Sequence, residues 1–200
     1  MKLNNWHSII LILLLHSPLI LYSQQTDILI DQRDGEQYKI IKLGDTWWMA
    51  ENLRFASDSN SYCYDNDTIF CKKAGRLYQY ITALHACPSD WELPNHIEWQ
   101  KMIDIFGGDS IAGRKLKSED FWFKSKVINT NESGFDAIGA GYRLAGGYFT
   151  AQKGLSIFWT STPVDFNHAK SIILNCDKDN VVFREDFINY GYSIRCIKKK

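Results

Sequence analysis

GRLYQYITALHACPSDWELPNHIEWQKM, residues 75–102, decides how the chain is read. Leu77, Ile81 and Leu84 recur at i, i+4 and i+7, one face of a helix, and predict a first helix ending near Cys87-Pro88. Asn95 followed three residues later by Glu98 is an N-terminal capping signal, so a second helix begins there. Trp99, Met102, Ile103 and Phe106 keep helical spacing until Gly107-Gly108 stops it. Ile111–Lys117 predicts a further short helical piece.

Upstream of this stretch the pattern is β. Ile28-Leu29-Ile30 leads to a turn at Asp34-Gly35, Tyr38–Leu43 reads as a strand, Gly44-Asp45 as a second turn, and Thr46-Trp47-Trp48-Met49 as the start of a third strand. Arg54 to Lys73 is polar and predicts a loop, with Cys63 and Cys71 flanking its second half. Downstream, Gly134, Gly139, Gly141, Gly146-Gly147 and Gly154 punctuate aromatic and β-branched residues. Ile157–Ser161 predicts a buried strand. Ser171–Leu174, Val181–Arg184 and Tyr192–Ile197 predict a terminal antiparallel set with loops at 177–180 and 185–191. Strands, two helices, then strands is an α+β order: two helices on short antiparallel sheets with long Gly- and aromatic-rich loops.

Two hundred residues make one ordinary domain, and 45% hydrophobic against 23% charged residues is enough to bury a core. Twenty-three basic residues against 23 acidic ones give no field that would draw the chain to nucleic acid. Residues 1–23 read as a secretory signal: Lys2, the apolar run Ile9–Leu15, a break at Pro18, and Ser23 before Gln24. His16, Ser17 and Pro18 leave the apolar run short of the ~20 residues a membrane span needs. No cysteine lies near the cleavage region to accept a lipid. The expected product is a single domain over 24–200, secreted or displayed at the cell surface. In an oxidising compartment Cys63, Cys71, Cys87, Cys176 and Cys196 are disulfide candidates first, with a local Cys63–Cys71 bridge preferred. There is no CxxC and no His at zinc-finger spacing from a Cys, so no metal or cofactor is expected.

LGDTWWMAENLR at 43–54 and the 75–102 stretch resemble the Fibrobacter succinogenes major paralogous domain, a family of exported bacterial domains. NESGFDAIGAGYRLAGGYF at 131–149, FWTST at 158–162 and GYSIRCIK at 191–198 fit it in the same order. Asp90 stands where that family usually has Gly before the Trp, and Ala74 where an aromatic is common. The resemblance implies a C-type lectin-like fold, shared with the formylglycine-generating enzymes. In that fold a Cys at the end of the first helix bridges to one on the last strand, which implies Cys87–Cys196; Cys176 is then a buried free thiol or a competitor of Cys87 for Cys196.

The candidate chemistry is sparse. The Glu-Pro-Asn and Trp-Asn-Asp calcium motifs of sugar-binding lectin-like domains are absent, and Leu93-Pro94-Asn95 reads as a cap. Asp177–Asn180 and Asp65–Asp67 lack the Gly and distal Glu of an EF-hand loop and read as solvated turns. The oxidative relatives hold copper with a closely spaced C-terminal cysteine pair; Cys176 and Cys196 are too far apart in sequence to carry that over. His85, His96 and His168 are scattered, with no Ser/His/Asp set. What remains is recognition: Tyr142, Arg143, Tyr148, Phe166 and Tyr190 as rings and cation, with Asp165, Asn167 and Asn189 as polar groups, for a glycan or a surface protein. Trp159, inside an apolar strand, is expected in the core. The expectation is a non-enzymatic binding or adhesion module; the alternatives are an oxidative enzyme or a structural part of a surface assembly.

Overall fold

The computed structural model describes residues 24–199; the expected signal segment, 1–23, lies outside the described residues. The chain opens with the meander β1 (Thr26–Ile30), β2 (Gln37–Leu43) and β3 (Thr46–Met49). The short strand β4 (Ser61–Tyr62), a 3-10 turn at Tyr64–Asn66 and α1 (Thr68–Ala74) follow, then β5 (Leu77–Tyr78), α2 (Tyr80–Ala83) and β6 (Trp91–Glu92). Next come α3 (His96–Ile105) and α4 (Ala112–Leu116), and after them the hairpin β7 (Tyr142–Arg143) and β8 (Phe149–Thr150). The last elements are β9 (Leu155–Pro163), β10 (His168–Asn175), β11 (Val181–Phe187) and β12 (Ile197–Lys198).

Two antiparallel sheets frame the molecule. One has the order β1-β2-β3-β12-β6, so the first and last strands of the described chain share a sheet. The other is β11-β10-β9. The architecture is α+β with few helices and several small antiparallel sheets. β9 explains why the run Ile157-Phe158-Trp159 does not alternate with polar residues. Ile157 and Trp159 face one core cluster with Tyr78, Tyr80, Tyr192 and Ile194; Phe158 faces the other with Trp48, Trp99 and Phe135. A strand covered on both faces needs apolar side chains at both parities. Trp159 is fully buried, as expected. Trp99 meets Trp48 edge-on at 5.0 Å and Phe135 at 5.6 Å, arrangements worth ~0.5–1.5 kcal/mol each beyond burial.

The capping box at Asn95 is complete: its side chain accepts from Ile97 N and Glu98 N, and Glu98 accepts from Asn95 N at 2.8 Å. Cys63 is bridged to Cys71, and Cys87 to Cys196, while Cys176 is free and buried.

Four expectations are corrected. Leu77 is not helical but pairs with Tyr62 in a strand, and α2 is only four residues long with Ile81 58% exposed. Its donors decide this: Tyr78 N bonds to Tyr192 O, Gln79 N to Asn60 O and Tyr80 N to Ile188 O, which pins the chain extended up to the helix start. Cys87 therefore lies beyond α2 in an irregular stretch. Arg54–Lys73 is not all loop, because Asp67 accepts from Ile69 N and starts α1, and the Cys71 half of a disulfide fixes that helix. Tyr192–Ile197 does not join the terminal set. Tyr192 bridges Tyr78, Ser193 bridges Phe158, and Ile197 pairs with Trp48 and Glu92, so the segment crosses from one sheet to the other. The loop expected at 185–191 starts later, since β11 runs to Phe187.

Candidate functional site

The eight expected recognition residues come from three segments that the fold brings into contact. The first is the tip of the β9–β10 hairpin. Asp165 Oδ1 accepts from Asn167 N at 2.7 Å and His168 N at 2.8 Å, and lies 2.9 Å from His168 Nδ1. These partners, the Asn167 amide first, hold the Asp165 carboxyl below its ordinary range. Its oxygens serve the turn rather than an incoming ligand. Phe166 at the apex is 93% exposed.

The second segment follows β11. Ile188 N donates to Asn167 O at 2.9 Å and docks the hairpin tip against it. Rings then run in sequence: His168 lies 4.4 Å from Phe187, Phe187 5.8 Å from Tyr190, Tyr190 6.0 Å from Tyr192, and Tyr192 5.9 Å from Tyr142. The third segment is the β7–β8 hairpin. Arg143 exchanges two backbone hydrogen bonds with Gly191, at 2.9 and 2.8 Å, and its guanidinium sits 3.9 Å over the Tyr62 ring. Tyr148 is exposed at the turn of this hairpin, which closes through Leu144 N to Tyr148 O. Gly141 lets the hairpin approach: its φ is +70°, and a Cβ there would lie 2.5 Å from Thr150 O.

Between the segment after β11, the turn at Ser59-Asn60 and α2 lies a cleft of about 350 Å³, of whose lining Asn189 alone is one of the eight expected residues. Asn60, Gln79, Thr82 and Asn189 line it with amides and a hydroxyl, Ile81 and Ile188 supply apolar surface, and His85 is the titratable side chain on its wall. Gln79 Nε2 donates to Asn189 O at 3.3 Å, and Tyr62 OH donates to Asn60 Oδ1 at 3.2 Å, which joins the cleft to the Arg143–Tyr62 stack. Asn60, Tyr62, Gln79 and Thr82 were not singled out by sequence reasoning, and His85 was considered only as one of three scattered histidines. They arrive from a segment expected to be a plain loop and from a helix expected to be longer. Asn60, next to Ser59 and Ser61, was the available signal, with φ +58° marking a turn.

A larger cleft, about 540 Å³, lies between the β2–β3 turn and the end of α3, lined by Leu43, Ile105 and Phe106; its wall begins at Gln24, the first described residue. Gln24, Gln25 and Lys42 supply its polar groups. Among the described residues no three His, Cys, Asp or Glu side chains are grouped to hold a metal ion. Asp67 caps α1, and Asp179 O accepts from Arg114 N at 3.2 Å, so both acidic runs are engaged in local structure. His96 Nδ1 lies 3.2 Å from Thr162 Oγ1. Burial, then the Asp177 charge, pushes the Cys176 thiol up, the wrong direction for a nucleophile. No helix among the described residues is long and apolar enough to cross a membrane.

Comparison with curated proteins finds no match, and comparison with solved structures finds none either. The model of the Fibrobacter succinogenes major domain does match, over residues 41–198, a span that runs from the end of β2 through β12 and includes both disulfides and every residue of the cleft. The chain belongs to the Fibrobacter succinogenes major domain family.

Proposed function

We propose that this protein is an exported, non-enzymatic recognition module of the C-type lectin-like kind, and that its ligand is a glycan. The observation that carries the reading is the amide- and hydroxyl-lined cleft at Asn60, Gln79 and Asn189, with the half-exposed Phe187 and Tyr190 rings on the segment that supplies Ile188 and Asn189. Neutral sugars present hydroxyls that both donate and accept, beside apolar C–H faces. Amides match the first and rings the second. The C-type lectin-like assignment is supported by the long Cys87–Cys196 bridge and by terminal strands that share one sheet. Export is supported by two disulfides, which persist in oxidising compartments, and by the leader-like composition of residues 1–23.

The test is a glycan array probed with oxidised protein spanning 24–200, beside Asn189→Ala and Gln79→Ala. Binding to a defined neutral glycan is expected for the parent and at least tenfold weaker binding for both variants, with melting temperatures unchanged. A blank array with saturable capture of one surface protein by the same face would replace the glycan by a protein partner. Binding that both variants retain in full would remove the cleft from the account.

A further inference from the structure

A second cavity, of about 110 Å³, shares no lining residue with the cleft. Its walls are the segment after β3, the C-terminal end of α1, Asp136 and Ile138, and Arg195 on the closing segment, so Arg54, Lys72, Lys73 and Arg195 face it against Glu51 and Asp136. Arg195 is 1% exposed. Its Nε donates to Asn52 Oδ1 at 2.8 Å, its Nη2 to Asp136 O at 2.9 Å and its Nη1 to Phe135 O, while the Phe135 ring lies 4.2 Å from Cζ. Every acceptor is neutral, and no carboxylate of the described residues pairs with it. Asn52 cannot turn away, because its Nδ2 donates to Ala74 O at 2.9 Å and to Ser193 Oγ. Gly75 closes the wall: a Cβ there would lie 2.5 Å from Asn52 Cβ.

Charge in the cavity is lopsided. Arg54 is paired with Glu36 and Glu51. Lys72 and Lys73 at the rim have no carboxylate partner among the described residues, and the Asp136 carboxylate accepts from Asn131 Nδ2 instead. Arg195 has only neutral hydrogen-bond acceptors, and the Asp136 and Glu51 carboxylates act on it through space without a direct pair, so part of its desolvation cost is left for a counter-ion to offset. Burial accordingly pulls the Arg195 guanidinium down to about 9.

We propose that this cavity is an oxyanion site that takes a single carboxylate, phosphate or sulfate group, with Arg195 as the charge at its floor and Lys72 and Lys73 at its mouth. The volume suits one such group and not a sugar ring. The group could arrive as a free ion or as the acidic end of a larger molecule, and the probes separate the two.

The experiment uses oxidised protein spanning 24–200 at pH 7 and fixed ionic strength, with chloride replaced in turn by acetate, phosphate, sulfate and glucuronate. At least one probe is expected to raise the melting midpoint saturably, by about 3–6 °C at ten times its Kd, and to shift the Arg195 Nε–H resonance. Lys72→Gln/Lys73→Gln should melt like the parent in chloride and lose most of that rise. Saturation by phosphate or sulfate assigns a free ion; saturation by glucuronate or acetate alone assigns a carboxylate on a larger ligand. A rise that stays linear, follows the salting-out order and is equal in the double variant overturns the site, as does an unmoved Arg195 resonance with every probe.

Discussion

Asp90 has its backbone at φ +63°, the left-handed region glycine favours. An L-residue costs roughly 1–2 kcal/mol there, Asp less than most, while glycine adds unfolded-chain entropy that takes back part of the gain. Asp90→Gly is therefore expected to raise stability by up to about 1 kcal/mol in urea melts with an unchanged m-value. A loss of stability would mean that the Asp90 side chain holds the turn before β6. Cys176 supports a second prediction at this scale. Buried and pushed up, its thiol should react with a thiol reagent at least tenfold more slowly in the native protein than after denaturation, giving one thiol per chain. Two rapid native thiols would contradict the disulfide pattern. Single residues were legible in sequence where type and environment agree, as at Trp159 and Asn95. Arg195 was not, because a charged residue is expected at the surface. Only the convergence of Asn52, Phe135 and Asp136 from distant segments makes its burial possible.

At the scale of elements, α3 was read correctly because its start is encoded locally, in Asn95 and Glu98, and its buried side chains Trp99, Met102 and Ile103 follow helical spacing. The segment before it was misread because the same spacing in Leu77, Ile81 and Leu84 arises by chance in a chain held by Tyr192, Asn60 and Ile188. Partners outside the segment itself, two of them more than 100 residues away, leave no periodic mark. The cleft suffered likewise: Asn189 and Tyr190 were visible as an aromatic–amide pair, whereas Gln79 and Asn60 gain meaning only from that pairing. The two disulfides differ in what they constrain. Cys87–Cys196 closes a separation of 109 residues and Cys63–Cys71 one of 8. Loop-closure entropy assigns them about 4–5 and about 2–3 kcal/mol respectively. Replacing Cys63 and Cys71 together by Ala should leave a cooperatively folded protein, while replacing Cys87 and Cys196 should cost about twice as much in denaturant melts. Equal losses would show that the long bridge joins segments already held together by the β3–β12–β6 pairing.

The whole molecule carries a charge signature at alkaline pH. Tyr38, Tyr78 and Tyr192 are fully buried; burial pushes Tyr38 up to about 12 and the other two well above the usual phenol range. Between pH 10 and 12 the unfolded chain releases these protons and the native chain keeps them, so stability present below pH 10 is lost as pH rises. Burial lowers the Arg195 guanidinium, a shift opposite in its effect on stability to that of the phenols. Each such phenol lowers stability by up to about 1.4 kcal/mol per pH unit between its unfolded and native titrations. Denaturant melts at fixed ionic strength should show stability level from pH 7 to 9 and falling steeply from 10 to 11.5. Absorbance at 295 nm should then deliver the amplitude of three phenolates only together with the loss of near-ultraviolet circular dichroism. The two sheets share these rings across the crossing segment at Tyr192, so ionising any one of them requires the sheets to separate. Phenolate amplitude complete before the dichroism changes would show that the rings reach water without unfolding, and that the packing between β9, β5 and the closing segment is looser than the fold requires.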